Sequence, residues 1–477
     1  MDQEGRTVVG GFVLGPDWTS HVLVVRVLPD GSLDASFNEV GMDTLALPGS
    51  DSEARKILIQ PDGKILLMTN TSSGSFHLIR YQTNGMLDPV FGTAGVSTVT
   101  GQGRTAWSMA LQADGRILIA GVQSGVIGST HSSTFLMRLS SDGSIDGTYG
   151  TNGWVIRDVD PLHDERPMQV VERPGGGSVV FGYMTTVGSR RPHYFLRSDP
   201  NGVPDPTFGL DGQVVDSLGV GSYMDGSCLR LLPNGAMLVA GQNAVNDTVN
   251  VAVAMFEPDG RSDTTWGDAG CVRIRRPGSS YHLLGGLVQL DDGGWVIGGT
   301  AFDDIQTLNE HFYCHLPADE FGVPDVTIPP QLHYVGPGQL DAEIVHMLDE
   351  VVVAPSGRIV AVSCANYGPP AIYQLTVYRI GTTSVNLSPT EDQPSFLVRP
   401  NPIHDVFQVQ FQVEGVHPSG LELIDMHGRS VHEFHERFSL NAGARVSLTW
   451  PEKVPAGMYL LCARSAGRRV AVRVVKD

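Results

Sequence analysis

Short runs of alternating apolar and polar residues, separated by glycine-containing turns, occupy most of this chain. Between residues 54 and 100 the runs read ARKILIQ, KILLMT, FHLIRYQ and GVSTVT, and the connections between them include PDG and NGMLDPVFG. Alternation with a period of two is typical of β-strands, and the 3.6-residue period of an amphipathic helix is absent. The pattern therefore predicts four short antiparallel strands in this segment.

The segment recurs along the chain. One connection keeps a glycine, an aspartate three residues later and, in five copies, an aromatic residue three residues after the aspartate. A second motif, such as PDGKILLMT at 61–69, occurs seven times. Seven four-stranded units match the blades of a propeller, so we predict an all-β chain with a seven-bladed β-propeller over residues 1–380. The aligned aspartates lie 54 to 62 residues apart, at Asp34, Asp88, Asp146, Asp205, Asp263 and Asp325.

The first and last of these seven repeats are incomplete. Repeat one begins at its second strand, and repeat seven ends after its third strand, near Arg379–Ile380. Either the ring lacks two strands or the precursor continues upstream of Met1. We expect the second, because the N-terminal stretch MDQEGRTVVGG also lacks the basic start and apolar core of a signal peptide.

The recurring residues have a structural interpretation. Gly accepts the positive φ of a tight turn, and the aspartate beyond it is expected to accept backbone N–H bonds in the bend. The aromatic residue is expected to pack between blades. An arginine on the third strand, replaced by Met255 in repeat five, is placed to pair with the aspartate of its own repeat. The residues concerned are Arg26, Asp34 and Phe37; Arg80, Asp88 and Phe91; Arg138, Asp146 and Tyr149; Arg197, Asp205 and Phe208; and Asp263 with Trp266.

Calcium binding is the alternative for these turns. A calcium loop of the EF type needs oxygen ligands at alternate positions and a bidentate glutamate. The stretch PDGSLDASF at 29–37 offers two carboxylates four residues apart, and several repeats replace the first with asparagine. We therefore expect structural turns and no cofactor.

Charge and cysteine content exclude several classes of protein. The chain has 32 Lys and Arg against 51 Asp and Glu, a formal charge of −19, which disfavours nucleic acid as a partner. No apolar run reaches the roughly 18 residues of a membrane helix. The five cysteines form no CxxC pair, so neither a disulfide framework nor a zinc motif is indicated. In HFYCH, strand alternation puts His311 and His315 on one face and Cys314 on the other, so no metal site is expected.

The repeats, in the style of QPDGKILLMT and RYQTNGMLDPVFGTAG, resemble the delta-sixty β-propeller repeat over roughly residues 1–380. The resemblance implies a propeller of secreted or cell-surface bacterial proteins and implies no reaction. No sialidase-type Asp box, GxSxG elbow or HExxH motif is present. A carboxylate pair in the axial channel stays open, so a secreted carbohydrate-active hydrolase or lyase is the alternative function.

Residues 381–395 (GTTSVNLSPTEDQPS) have the composition of a linker, and residues 396–477 alternate like a small Ig-like β-sandwich. This tail resembles the type A C-terminal sorting domain of the type IX secretion system, typical of the Bacteroidota. The resemblance implies export across the outer membrane by that machinery, with cleavage near the linker. An ordinary Ig-like binding module is the alternative. The matching residues include Pro400, Asn401, Pro402, Asp425, Gly428, Arg429, Gly457, Tyr459 and Lys476.

Together these observations predict an exported or cell-surface propeller. Its expected role is binding or adhesion, with an extracellular glycan, peptide or protein as the ligand on one propeller face. A scaffold whose functional partner lies in a missing N-terminal part is a further alternative. The sequence identifies no catalytic, cofactor-binding or metal-ligating residue.

Overall fold

The structure, a computed structural model, consists of two compact units, Met1–Thr383 and Ser384–Asp477. All regular elements of the described residues are β-strands, and no helix occurs among them. The predicted linker 381–395 lies outside these residues. Described are residues 1–14, 19–47, 51–72, 74–101, 103–124, 131–185, 191–216, 224–245, 248–276, 278–303, 309–319, 321–327, 330–335, 345–353, 359–367, 372–380, 396–399, 406–411, 420–425, 430–434, 445–451, 453–455, 457–465 and 468–476.

The strands of the unit Met1–Thr383 form antiparallel meanders that follow the sequence repeats. Repeats one and seven each contribute three described strands, and the five repeats between them contribute four. In chain order the strands are β1 (Thr7–Leu14), β2 (Ser20–Val27) and β3 (Met42–Leu45); β4 (Ser52–Ile59), β5 (Ile65–Thr71), β6 (Phe76–Tyr81) and β7 (Val96–Val99); β8 (Arg104–Leu111), β9 (Ile117–Gln123), β10 (Ser133–Leu139) and β11 (Trp154–Arg157); β12 (Asp164–Glu172), β13 (Ser178–Thr185), β14 (His193–Ser198) and β15 (Gln213–Asp216); β16 (Met224–Leu231), β17 (Met237–Val245), β18 (Thr248–Phe256) and β19 (Cys271–Ile274); β20 (Ser279–Gln289), β21 (Trp295–Asp303), β22 (Asn309–Leu316) and β23 (Gln331–Val335); β24 (Val345–Val353), β25 (Ile359–Tyr367) and β26 (Ile372–Ile380).

The meanders of repeats five and six are joined into one sheet. The link is a parallel pairing of Val249, on β18, with Tyr281, on β20. Both strands are long, with nine and eleven residues, so their ends reach each other beside the core of the two repeats. The repeat pattern of the sequence does not predict this connection.

Burial along each meander follows the position of the strand. The third strands of repeats one to five are largely buried on both faces, as in β10, where all seven residues are buried. Such strands read as continuous apolar runs instead of alternating ones. The fourth strands have four or five residues, and several are partly exposed, as in β11 and β15. The middle of each sheet is therefore covered by its neighbours, and its last strand lies at an edge.

The hydrophobic core is divided into clusters that lie between consecutive repeats. Phe76 of repeat two and Phe135 of repeat three stack with ring centroids 6.0 Å apart in one cluster. Phe195 and Phe256 pack edge to face at 4.8 Å between repeats four and five. Similar clusters join the other consecutive pairs. Since a single sheet cannot bury both faces, each repeat depends on the next for its stability.

The first strands of repeats two to seven also contact one another in chain order. β4 contacts β8, β8 contacts β12, β12 contacts β16, β16 contacts β20, and β20 contacts β24. The first strands of consecutive repeats therefore lie near one another, so one surface collects residues from several repeats.

The unit Ser384–Asp477 contains two antiparallel sheets, one of three strands and one of four. Its buried residues come from both sheets, for example Leu448 of the first and Leu461 of the second. Trp450 and Tyr459 pack edge to face at 5.3 Å, and the Trp450 Nε1–H donates to the Val454 carbonyl. The strands are β27 (Phe396–Arg399), β28 (Val406–Phe411), β29 (Gly420–Asp425), β30 (Ser430–Phe434), β31 (Arg445–Thr449), β32 (Gly457–Ser465) and β33 (Arg468–Lys476).

Candidate functional site

The arginine predicted to pair with the repeated aspartate does so in repeats one to four. In each, the arginine Nε–H donates to the aspartate Oδ2 at 2.7 to 2.9 Å. The guanidinium also lies 4.4 to 4.8 Å from the centroid of the repeated aromatic ring, within the range of a cation–π contact. We call this set the arginine clamp; it comprises Arg26, Asp34 and Phe37; Arg80, Asp88 and Phe91; Arg138, Asp146 and Tyr149; and Arg197, Asp205 and Phe208.

The arginine clamp reaches from each repeat into the next. Its second nitrogen, Nη1, donates to a backbone carbonyl in the turn of the following repeat; the acceptors are Thr83, Ser141, Pro200 and Pro258. The aromatic ring packs on the glycine of that same turn. A Cβ added at Gly143, for example, would lie 2.9 Å from the Phe91 ring, whereas nothing lies within 4 Å of a Cβ at the equivalent Gly31. Glycine is needed where a preceding ring occupies that space.

Two further contacts fix the aspartate of the clamp. Its Oδ1 accepts the N–H of the residue two positions later, as in an Asx turn, and in most repeats a Ser or Thr hydroxyl as well. A second basic residue approaches its Oδ2, at 3.1 Å for Lys64 and Asp88 and at 3.4 Å for Arg116 and Asp146. Burial alone would raise the pKa of Asp146, but the Thr148 hydrogen bonds and Arg138 lower it to about 2. The carboxylate therefore stays charged, as the buried arginine requires.

The contacts of the clamp aspartate argue against calcium binding in these turns. Both oxygens of Asp146 accept protein hydrogen bonds, and two guanidinium groups stand beside it. A metal cation at this position would be repelled by the two guanidinium groups, and both carboxylate oxygens already accept hydrogen bonds from the protein. Within the described ranges no group of three or more His, Cys, Asp or Glu side chains is placed to hold a metal ion.

Repeat five departs from the clamp. Met255 stands at the arginine position, and Ala236 at the position of the second basic residue. Asp263 keeps only its hydrogen bonds from Thr265 among those that the described residues form. The aromatic residue is Trp266, whose Nε1–H donates to the Pro324 carbonyl of repeat six at 3.1 Å. A neutral indole hydrogen bond thus replaces the ionic bridge at this boundary.

A buried histidine also joins repeats five and six. The His282 side chain is fully buried; its Nδ1 lies 2.8 Å from the Val249 carbonyl, and its Nε2 accepts the Arg276 N–H at 2.8 Å. These partners require the neutral ring with the proton on Nδ1. Burial lowers the pKa of His282, so this ring stays neutral.

The His and Cys residues of HFYCH diverge, as predicted. Cys314 packs with Phe312 and Leu316 in the core between repeats five and six. His311 lies on the opposite face of β22, with its Nδ1 3.1 Å from the Thr300 hydroxyl. Three ligands from this segment therefore cannot meet at one ion.

The first strands of repeats two to seven each carry a β-bulge at the same place. The pairing with the second strand skips one residue: Arg55, Trp107, Met168, Ser227, Gly285 and Asp349. A bulge adds a residue to one strand and redirects its side chain, and bulges are frequent beside binding sites. The residue type at the bulge changes from repeat to repeat, whereas the clamp stays the same over four repeats.

Trp107 is the large aromatic residue of this set. Its neighbours on β8, Ala106 and Ser108, are buried, but Trp107 is 36% exposed. Arg166, on the adjacent strand β12, has its guanidinium carbon 5.7 Å from the Trp107 ring centroid. This pair offers a flat apolar surface beside a cation, which is a common composition of a ligand site.

Glu165, the residue before Arg166, is a fully buried carboxyl between repeats three and four. Its Oε2 accepts the N–H and the hydroxyl of Thr134, at 2.8 and 2.5 Å, and its Oε1 accepts the Val159 N–H. The Thr134 hydroxyl also lies 2.7 Å from the Tyr194 hydroxyl. Burial is the main cause that raises the pKa of Glu165, to about 7. Since no signal in the turn motifs marks it, only the placement of β12 reveals this group.

The structure places the predicted sorting-domain residues only in part. Pro400, Asn401, Pro402, Gly428 and Arg429 lie outside the described residues. Asp425 ends β29 and pairs in register with Tyr459 on β32, while Gly457 begins β32 and pairs with Lys476 on β33. The Tyr459 hydroxyl donates to the Pro455 carbonyl at 3.0 Å. These contacts locate the residues in the second sheet of the C-terminal unit.

Comparison with known proteins supports the repeat assignment. A family model described as a β-propeller domain of unknown function, DUF5122, matches residues 5–37, 60–91 and 112–149. These ranges contain the turn motifs and clamp residues of repeats one to three. With the multiple four-stranded antiparallel sheets, this match identifies the chain as a β-propeller repeat protein. A comparison with curated proteins finds no match.

Solved structures resemble the chain only distantly. A protein of unknown function from Dyadobacter fermentans has 15% identity, covering 62% of this chain and 87% of that chain, with a TM-score of 0.39. An endo-arabinase from Bacteroides thetaiotaomicron has 14% identity, covering 58% and 95%, with a TM-score of 0.34. A glucose dehydrogenase has 15% identity, covering 69% and 96%, with a TM-score of 0.39. Likeness at this level carries no argument about activity.

The described residues also bear on membrane insertion. They contain no helix of the length and apolar character needed to cross a bilayer.

The arginine clamp should contribute strongly to stability. Replacing Arg138, whose side chain is 1% exposed, by Met leaves Asp146 and the Pro200 carbonyl without their main donor. Because breaking a buried ion pair leaves an uncompensated charge, Arg138→Met should lower the free energy of unfolding by about 3 kcal/mol in urea titrations. The control Arg261→Met removes an arginine that is 81% exposed and should change it by less than about 0.5 kcal/mol. Equal effects of the two variants would contradict a structural role for the clamp.

Glu165 should make stability depend on pH. Its raised pKa means that the folded chain holds a proton that the unfolded chain releases near pH 4.5. Stability is therefore fully present below pH 4.5 and is lost as the pH rises through about 7, by about 3 kcal/mol. Glu165→Gln cannot titrate, so its stability relative to the wild type should increase over this interval in urea titrations at several pH values. Glu172→Gln, on the same strand, is the control; a Glu165→Gln variant with the wild-type pH profile would refute the assignment.

Proposed function

We propose that this protein is an exported or cell-surface β-propeller that binds an extracellular ligand at the surface of its first strands. In this proposal the seven repeats are the seven blades of one ring, and the first strands surround its channel. The C-terminal unit is a small Ig-like β-sandwich that directs export by the type IX secretion machinery. The function is binding or adhesion.

The observation that carries the binding role is the exposure of Trp107. An indole is among the most favourable side chains to bury, and the flanking residues of β8 are buried. A bulge on the same strand accounts for the orientation of Trp107 away from the core. An exposed tryptophan beside a cation, on a strand that contacts the first strands of the adjacent repeats, is typical of a recognition surface.

The contacts between first strands support the ring. They occur in chain order from β4 to β24, as consecutive blades require. The clusters of the core likewise join each repeat to the next. The seven sequence repeats, each of which is a meander of three or four described strands, support a count of seven blades.

The export role is supported by the order of motifs in the tail and by the position of Tyr459. Its ring packs on Trp450, and its hydroxyl bonds the segment before β32. Residues 455–459 are one of the segments that carry the sorting-domain resemblance. The fixed position of the Tyr459 side chain fits a residue that a secretion machinery recognises.

The described carboxyl groups give less support to a hydrolase than the exposed Trp107 gives to a binding protein. Glycoside hydrolysis requires two accessible carboxyl groups that flank the scissile bond. Glu165 has the raised pKa of a general acid, but it is fully buried and its oxygens accept bonds from Thr134 and Val159. A substrate cannot reach that proton without opening the boundary between repeats three and four.

Binding should depend on Trp107. On arrays of glycans and peptides the full chain should retain a defined set of ligands, and Trp107→Ala should weaken them by about tenfold or more. Phe321→Ala removes an aromatic side chain that is 51% exposed and lies outside the first strands, and it should leave binding unchanged. Release of reducing ends from any bound polysaccharide would favour the hydrolase instead.

Export should depend on the C-terminal unit. With a signal peptide supplied, the full chain should reach the medium or surface of a bacterium that has type IX secretion, and a chain without residues 396–477 should stay in the periplasm. Intact-mass analysis of the released protein should find the tail removed. A truncated chain that is exported as efficiently as the full chain would rule out the sorting role.

A further inference from the structure

Arg166 is a cation without a carboxylate partner among the described residues. Its guanidinium lies over the Trp107 ring, and no described Asp or Glu oxygen lies within ion-pairing distance of it. The adjacent carboxyl, Glu165, is buried and accepts bonds from Thr134 and Val159. Asp164 lies near enough for Arg166 to contribute to its lowered pKa, but its Oδ1 accepts the N–H and hydroxyl of Ser132 at 2.8 and 2.9 Å. In a chain with a formal charge of −19, an arginine that pairs with none of the described carboxylates has donors to offer a ligand.

A second arginine occupies the equivalent bulge one strand away. Arg55 stands on β4 at the position that Trp107 occupies on β8, and β4 contacts β8. Its side chain is 55% exposed, and its ion pair with the exposed Glu53 is loose, at 3.7 Å. An exposed pair of this kind contributes little to stability, so the arginine is free to exchange partners. Trp107 thus stands between strands that carry Arg55 and Arg166.

We propose that this surface binds a carboxylated sugar of an acidic polysaccharide; the inference rests on the binding function proposed above. The apolar C–H face of the sugar ring stacks on the Trp107 indole. The Arg166 guanidinium donates two parallel N–H bonds to the sugar carboxylate, and Arg55 attracts the carboxylate of a neighbouring residue of the polymer. The Trp107–Arg166 pair specifies this class, because a neutral sugar would leave the arginine unpaired and an acidic peptide would leave the indole without a ring to stack on.

The experiment compares two polymers that differ only in charge. Polygalacturonate and its fully methyl-esterified form are titrated against the full chain by calorimetry or affinity electrophoresis. The acidic polymer should bind about tenfold more tightly than the ester, and added salt should weaken only the acidic interaction. Poly-glutamate serves as a polyanion without a sugar ring.

Three variants separate the contributions. Trp107→Ala should abolish binding of the acidic polymer, while Trp107→Phe should retain part of it. Arg166→Gln should remove the preference for the acid over the ester. Arg261→Gln removes the same charge from a side chain that is 81% exposed elsewhere, and it should have no effect.

The outcomes are distinguishable. Binding of the ester as tight as that of the acid, with Trp107→Ala still reducing both, would overturn this inference and leave the binding function intact. Binding of poly-glutamate as tight as that of polygalacturonate would overturn it in favour of general attraction of polyanions. Binding that no Trp107 variant changes would overturn both the inference and the proposed surface.

Discussion

The bond from an arginine of one repeat to a backbone carbonyl of the next is the interaction on which the first five repeats depend. A β-sheet of four strands has two faces to bury and no means of its own to fix the angle to its neighbour. The arginine clamp supplies that means: Arg138 bonds Asp146 within its repeat and the Pro200 carbonyl beyond it. Both charges are largely withdrawn from water, so the pair is stable only when every donor has its acceptor. The clamp therefore selects one spacing between sheets.

This geometry explains why the aromatic residue and the turn glycine recur together. The ring that lies against the guanidinium on one side packs against the next turn on the other, as Phe91 does with Gly143. A side chain on that glycine would push the turn away and break the carbonyl bond as well. Four features of the repeat, the arginine, the aspartate, the aromatic ring and the glycine, are thus one physical unit. Its loss at Met255 coincides with a different connection, in which Trp266, His282 and the pairing of Val249 with Tyr281 join repeats five and six.

The sequence predicted much of this and failed at identifiable places. Gly, Asp and aromatic residues at fixed spacing mark the turns, because the turns need those residue types locally. The pairing of Arg26 with Asp34 was predicted from the alignment of the repeats. The sequence did not predict the bulges, because a bulge depends on the pairing of two strands. The residues at the bulges, such as Arg55 and Gly285, also share no side-chain type. Glu165 and Arg166 were missed for a similar reason: their environments come from β8 and β10, about 30 to 60 residues away in sequence. The merging of repeats five and six depends on strand length and had no local signal.

The division between constant and variable positions is itself an argument about function. The clamp side chains satisfy each other inside the protein, so they have little left to offer a ligand. The bulge positions are filled with an arginine, a tryptophan, a methionine and a glycine in four different repeats. Met168 packs against the core between repeats four and five, whereas Arg55 and Trp107 are exposed. A scaffold that holds its sheets at a fixed spacing can tolerate different residues there, since the arginine clamp does not use these positions. Ligand binding is therefore expected at the positions that differ between repeats, and on this chain the pair of Trp107 and Arg166 is the clearest case.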